Sequence, residues 1–411
     1  MEKEILDLCI GLDIGTSTTK VVIHPLFADD SFFVVDFEKD KTEDATYLLP
    51  TKLAINLETK QFELPLYRIE QEIPSFFERL ASKFSKVSIS EKTHKQKILE
   101  NLKVNFMNNE ENSADYLRVF IALVIQYSKE WFVKKYSNRD FMKNKEIIWS
   151  INMGIPSAKF SSTGDNKKYL NLLKTAYNLS KKSKIDLNNY KKIDNSDPDI
   201  EYSVIPEIVA AVSSFVTQED SAAQGLYCAI DIGAGTTDIC TFRIHRNESA
   251  DIYSFFKSSV LELGADRYYE ATNKGNIEKS FFKQLGSVIW RTKINRDPNA
   301  DEWESYLPLI ICGGGSYIKA YKEVIYNYER DILIKQLSHR GFKGYRNILL
   351  PDTQYIHTSE SIDPKRLLVA QGLCFSTDFY DDMKKYYAET EIEDIPIKQK
   401  KEFEEITKDV C

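Results

Sequence analysis

The sequence predicts an α/β chain built from two similar halves that face a shared cleft. The first observation behind this is a repeat. LDIGTSTTKVVI near the N-terminus and IDIGAGTTDICTF in the middle of the chain can be laid over each other, with Asp13 on Asp231 and Gly15 on Gly233. Each copy is an apolar, β-rich run that breaks at a small, hydroxyl-rich turn and then resumes, which is the pattern of a hairpin. Second, strand-like apolar runs alternate with helical patterns along the rest of the chain. Third, the chain has 411 residues, 42% hydrophobic and 28% charged. That is enough to bury a globular core, and the length is that of two or three domains.

The two turns suit backbone that approaches a ligand closely. In GAGTT, glycine and alanine leave the amides uncovered, and amide-lined turns bind anions, most often phosphate. Asp231 and Asp238 bracket the second turn. Carboxylates beside a phosphate repel it unless a cation lies between them, and Mg²⁺ needs few carboxylates and several waters. The expectation is therefore a nucleotide phosphate with Mg²⁺. For either copy alone, an ordinary tight hairpin is the plain alternative. Two copies separated by about half the chain tell against it. The first copy ends its turn in Lys20, where the second has Asp238.

The remaining elements follow in order. ADYLRVFIALVIQYSKEWFVKKY carries apolar residues at helical spacing. IIWSINMGIPSAKF, from Ile147, reads as a strand ending in a proline-containing loop, with a helix pattern around Tyr169 to Leu179. VIPEIVAAVSSFV, from Val204, is a strand end followed by a small-residue helix suited to close packing. SFFKQLGSVIWRTKI reads as one helix. YLPLIICGGGSYIKAYKEVI, from Tyr306, is a strand, three glycines and an amphipathic helix. IDPKRLLVAQGLCFSTDF, from Ile362, opens a helix with Asp363 as N-cap and Pro364 at the first helical position. Ala370 and Gly372 make that helix small on one side.

Charge and composition narrow the function classes. A net charge of −7 gives no indication of a nucleic-acid surface, and the lysine-rich stretch Lys167 to Lys192 reads as a solvated face. MEKEILDLCIGLDIG is neither a signal peptide nor a transit peptide, and no apolar run reaches the length that crosses a bilayer. The six cysteines have no metal-ligand or redox spacing and read as buried, reduced thiols of a cytoplasmic protein. The five histidines form no cluster.

The order of phosphate hairpin, strand and loop, small-residue helix, second hairpin, GGG turn and second small-residue helix resembles the actin-like ATPase superfamily. This family includes actin, the 70-kDa heat-shock chaperones, bacterial actin homologues and sugar kinases. The likeness is spread from Ile10 to Phe379, and DIGAGTTD followed by CGGGS is its most specific part. It implies two ribonuclease-H-like domains, hinged by the two small-residue helices, with ATP and Mg²⁺ in the cleft. Residues 1–204 would form domain I, with an inserted lobe at about 56–146. Residues 205–379 would form domain II, with a reduced upper subdomain at about 267–305, a longer insertion at about 316–362 and a helix, 363–379, that returns to domain I. Residues 380–411 would be a charged helical tail.

By the same resemblance, Asp13 and Asp231 would hold Mg²⁺ through water. Gly15, Thr16 and Ser17 would serve the β-phosphate, and Gly233, Ala234, Gly235 and Thr236 would wrap the β- and γ-phosphates. Lys20 would neutralise phosphate charge, and Asp238 would bind a water or the metal from further out. Glu207 would orient the attacking water and accept its proton; a helix-start carboxylate favoured by the dipole is the alternative for this residue. Gly313, Gly314 and Gly315 would lie under the adenosine. Ala234 stands where the family usually has glycine. The short stretch between LELGADRYYEA and the GGG turn leaves one helix to close over the base, and Arg291 or Lys293 would be available to stack on it.

The closest likeness is to a chaperone-type nucleotide-binding domain, because YLLPTKLAIN and IDPKRLLVAQGL match that pattern; against it, no β-rich client-binding domain follows, so the likeness is to the nucleotide-binding half alone. The expected activity is a slow, Mg²⁺-dependent ATPase that acts as a conformational switch on a protein partner. The alternative is a filament-forming bacterial actin homologue of the plasmid-segregation or cell-division kind. A sugar kinase fits the first turn and fits the second poorly. A scaffold without catalysis is disfavoured by the presence of every acidic residue.

Overall fold

The computed structural model describes residues 4–26, 31–37, 45–65, 96–156, 163–218, 223–246, 251–326, 335–336, 341–348, 350, 356–358, 362–376 and 379–380. The expected tail beyond Tyr380, residues 66–95 of the expected lobe and parts of 316–362 lie outside them.

Two mixed sheets organise the chain, and they share one plan. The first runs β15 (Ile356–His357), β3 (Phe32–Val34), β2 (Thr18–Pro25), β1 (Glu4–Ile14), β8 (Lys145–Ile155) and β9 (Glu201–Pro206), with β4 (Leu49–Pro50) also on β2. The second runs β12 (Asp251–Leu261), β11 (Thr237–Arg246), β10 (Gly225–Ile232), β13 (Leu307–Cys312) and β14 (Tyr345–Asn347). In each, three consecutive strands pair antiparallel, and two later strands add in parallel beyond the first of them. A small third sheet holds β6 (Phe62–Glu63), β5 (Leu53–Asn56) and β7 (Gln96–Leu99). The chain is thus α/β, as its sequence predicts.

The central strands are covered on both faces, which is why they read as near-continuous apolar runs. On one face of the first sheet lie α2 (Ser113–Tyr136) and α3 (Thr163–Ser180), closing a core that includes Leu8, Leu12, Phe120, Phe132 and Leu173. Leu117, Phe120, Ile121, Val124, Ile125, Ser128 and Phe132 are buried at the 3.6-residue period of α2, and Arg118, Val119 and Ala122 are buried beside them, so the helix is covered beyond a single stripe. Each fully buried leucine or phenylalanine contributes about 1.5–3 kcal/mol. The second sheet packs α6 (Lys274–Asn295) and α7 (Lys319–Tyr326) on one face, and α4 (Glu207–Gln218) with α8 (Pro364–Gly372) on the other. Short helices α1 (Leu102–Met107) and α5 (Ala265–Glu270) flank the sheet ends.

Helix α8 joins the two sheets. Its Leu367 and Ala370 pack with Val22 and Phe32 of the first sheet, and its Leu368 and Val369 pack with the second. The small residues earn this position sterically. A Cβ on Gly372 would collide with the carbonyl oxygen of Ala210 in α4, and one on Gly11 of β1 would collide with that of Ala370. The expected N-cap is present, since the Asp363 carboxylate accepts from the Lys365 amide at 3.1 Å with Pro364 at the helix start. The helix ends at Gly372 rather than at 379. Beyond it, the carbonyls of Leu373 and Phe375 are drawn to Asn152 Nδ2 of β8, at 2.9 and 2.8 Å. All five cysteines among the described residues are buried and free. No helix among the described residues is long and apolar enough to cross a membrane.

Candidate functional site

The site lies where strands from both sheets end. Asp13 and Asp231 each stand one residue before the end of β1 and β10, while Glu207 follows β9 and Gly313 follows β13. Crevices at the carboxyl ends of parallel strands are where α/β folds bind ligands.

The two turns are the same hairpin built twice. Gly15 N–H donates to Thr18 O at 3.1 Å, and Gly233 N–H donates to Thr236 O at 2.9 Å. Asp13 faces Lys20 across the first hairpin, and Asp231 faces Asp238 across the second. The overlay made from sequence is therefore the register of the strands. Gly15 has no room for a side chain, because a Cβ would meet Thr18 O.

The second turn is oriented by the segment that follows β12. The amides of Gly264, Ala265 and Asp266 donate to the carbonyls of Gly235, Gly233 and Ala234, at 3.1, 2.9 and 2.8 Å. In a trans peptide the N–H points opposite to the C=O. Anchoring these three carbonyls on one side thus turns the amides of Ala234, Gly235 and Thr236 to the other. The first hairpin is on hand nearby: a Cβ on Gly235 would come within 2.9 Å of Thr16 Oγ1. Ser17 Oγ donates to Asp266 Oδ2 at 2.8 Å, a direct bond between the two halves of the site. Gly15 to Ser17 and Gly233 to Thr236, expected as phosphate ligands, thus converge at one place.

Beneath the tips lies a buried charge cluster. Asp13 is 5% exposed, Asp231 8% and Glu207 8%. Lys20 Nζ pairs with Asp13 Oδ2; in this structure Lys20 answers the carboxylate opposite it. Burial pushes the Asp231 carboxyl up to about 7, with the charges of Glu207 and Asp13 adding to the effect while Lys20 and the Cys312 thiol oppose it. Glu207, the first residue of α4, pairs through Oε1 with Lys103 Nζ at 2.6 Å. Glu207 thus stands at a helix start, as the alternative reading has it, and is also buried and bound to a lysine contributed by α1. For Lys103, burial works against the ammonium, yet the charge and hydrogen bond of Glu207, with Asp13 further off, hold its pKa above the ordinary range. Tyr169 of α3 stands in the same field, its hydroxyl pushed up to about 12 by burial. Asp238 is buried at 2% exposure on β11.

Lys103 is the residue that sequence reasoning missed. A lysine set between Leu102 and Phe106, both buried, was the available sign of an ammonium forced into a core. Such a charge needs a carboxylate partner.

The glycine turn borders the second hairpin. Gly313 has φ +83°, and a Cβ there would collide with Asp231 and Ile232. A Cβ on Gly315 would come within 2.5 Å of Ile232 Cγ2, whereas one on Gly314 would meet nothing within 4 Å. Gly313 and Gly315 are thus needed to pack the turn on β10, and Gly314 borders open space. Lys293, one of the two residues available to stack on a base, is turned onto the Trp303 ring at 5.4 Å and donates to Pro298 O.

Compared with models of known protein families and with curated proteins, the chain matches none.

Proposed function

We propose that the chain is an ATP-binding, Mg²⁺-dependent slow ATPase of the actin-like kind, most similar to a chaperone-type nucleotide-binding domain, that acts as a conformational switch for a protein partner. The observation that carries this is the pair of identical hairpins, tip to tip, with their amides and hydroxyls above buried Asp13 and Asp231. Ribonuclease-H-like topology for each half is supported by the repeated strand order. In this reading domain I is the first sheet with its lobe, and domain II is the second sheet.

The residues present suit a nucleotide phosphate with Mg²⁺. Anchoring of the Gly233, Ala234 and Gly235 carbonyls turns the amides of Ala234, Gly235 and Thr236 the other way, and below them three buried carboxylates stand with two lysines. Among the described residues, no three His, Cys, Asp or Glu side chains are placed to ligate a metal directly. In this reading Asp13 and Asp231 hold the ion through its waters, as the resemblance implies. When bound, Mg²⁺ supplies charge neutralisation at the phosphates.

The chain's own residues divide the work. Amides and hydroxyls of the two tips bind and orient the phosphates. Glu207 orients a water and accepts its proton, and Lys103 sets the position of that carboxylate from the inserted lobe. Lys20 shares its charge between Asp13 and the phosphates. Losing the γ-phosphate removes contacts to the second tip, and the halves rotate about α4 and α8, whose close crossing at Gly372 and Ala210 forms the pivot.

The test is phosphate release from ATP with Mg²⁺, followed together with right-angle light scattering. Slow release with flat scattering is expected. Scattering that rises with ATP and falls as phosphate appears would favour the filament-forming alternative, and absence of nucleotide binding would overturn both.

A further inference from the structure

Asp266 touches the cleft from the second half. It sits in the first turn of α5, and its own amide is bonded to Ala234 O at 2.8 Å. The neighbouring amides of Gly264 and Ala265 hold the carbonyls of Gly235 and Gly233. Asp266 is therefore fastened to the second hairpin by three consecutive backbone bonds and moves with it. Its side chain reaches across to the first hairpin, where Oδ2 accepts the proton of Ser17 Oγ at 2.8 Å. The side chain is otherwise exposed, so solvent sees it and burial does not dictate its identity.

A serine hydroxyl has one proton to donate. Given to Asp266, that proton is not available to a phosphate oxygen. The Asp266 carboxylate offers Ser17 the same chemistry as a phosphate oxygen: negative charge and acceptor lone pairs. We propose that Asp266 is a nucleotide-competing latch: its carboxylate takes Ser17 in place of a nucleoside di- or triphosphate, ties the two tips together when the site is empty, and must be displaced for the phosphates to bind. This rests on the reading of the cleft as a nucleotide site. The consequence is weaker binding and faster release of the diphosphate than the cradle alone would give, because each release re-forms the Ser17–Asp266 bond. Asp266 is in this sense a positioning and affinity-setting residue; it takes no part in bond breaking.

The experiment compares the full chain with its Asp266→Asn and Asp266→Ala variants. Affinity for Mg·ADP is measured by calorimetry, and release of a fluorescent ADP analogue is followed by stopped flow. Asp266→Asn removes the charge and keeps the shape; Asp266→Ala removes both. We expect tighter binding and slower release in both, with a larger change, on the order of tenfold, in Asp266→Ala. In a Ser17→Ala background the effect of Asp266→Ala should shrink to a small residue. A carboxylate that only favours the α5 dipole would lower Tm on removal and leave ADP release unmoved, and that result would overturn the proposal. So would weaker ADP binding in Asp266→Ala. If the wild-type chain binds no Mg·ADP, the nucleotide reading fails and takes this inference with it. If the wild type binds and both variants match it in affinity and release, this inference fails alone.

Discussion

The two hairpins share a backbone and differ in what stands across from the aspartate. On the first, Asp13 faces Lys20 and pairs with it; on the second, Asp231 faces Asp238. The same turn thus carries a compensated carboxylate in one half of the molecule. In the other it carries a carboxylate whose burial, among Glu207 and Asp13, lifts it to about 7. Duplicated geometry with divergent charge lets one construction serve two tasks, and in the proposed nucleotide site these would be a phosphate cradle with a lysine at one tip and a carboxylate for a hydrated cation at the other.

The sharpest break in this comparison is removal of either aspartate. Asp231→Ala and Asp13→Ala are each expected to lower Mg²⁺-dependent phosphate release by about 10²–10³-fold, the scale of losing one preorganised charge-stabilising group. A variant of Asp231 as active as wild type would remove its assignment as the outer ligand of the ion. Next comes Glu207→Ala, which should slow hydrolysis by about 10²-fold while ATP affinity stays near that of wild type. Turnover at the wild-type rate would leave Glu207 as a structural ion-pair partner only.

A third effect is on stability. Lys103→Met leaves Glu207 charged and unpaired in a buried site, which costs about 3–5 kcal/mol. The double variant Lys103→Met, Glu207→Gln should recover most of the lost Tm; equal Tm values for the single and the double variant would show that the pair is not coupled. The fourth effect follows from the Asp231 carboxyl. Its folded value of about 7 lies above the ordinary aspartate value of 3.8. Between those values the folded state holds more protons than the unfolded one, so this group makes stability fall as pH rises from about 4 to 7. Without metal, Tm should decline over that range, and Asp231→Asn should flatten the decline and raise Tm at pH 8. A flat wild-type profile would contradict the assigned burial. The smallest effect is at the glycine turn. Gly314→Ala has open space for its methyl group and should leave Tm unchanged while weakening ATP binding severalfold. Gly313→Ala, at φ +83° against Asp231, should lower Tm as well.

Much of this site is legible along the chain, because its parts are local. A hairpin is closed by residues a few positions apart, so Asp13, Gly15 and Lys20 or Asp231, Gly233 and Asp238 announce the turn by their own spacing. The N-cap at Asp363 and the small residues of α4 and α8 are local in the same sense. What the spacing does not show is which distant side chains meet the turns. Lys103 reaches Glu207 across 104 positions, and Ser17 reaches Asp266 across 249. Neither pair has a sequence signature, since nothing in a short helix such as LKVNFM says which carboxylate its lysine will find.

The sequence by itself determined the strand-turn-strand units, the helix starts and the small faces that let α8 approach both sheets, because each depends on backbone preference and side-chain size over a few residues. Only the tertiary structure decided which residues of the two tips meet, that Lys20 pairs with Asp13 and Lys103 with Glu207, and that Asp266 holds Ser17. Those outcomes depend on burial. A carboxylate taken out of water must find its counter-charge wherever packing has brought one, and packing is a property of the whole chain.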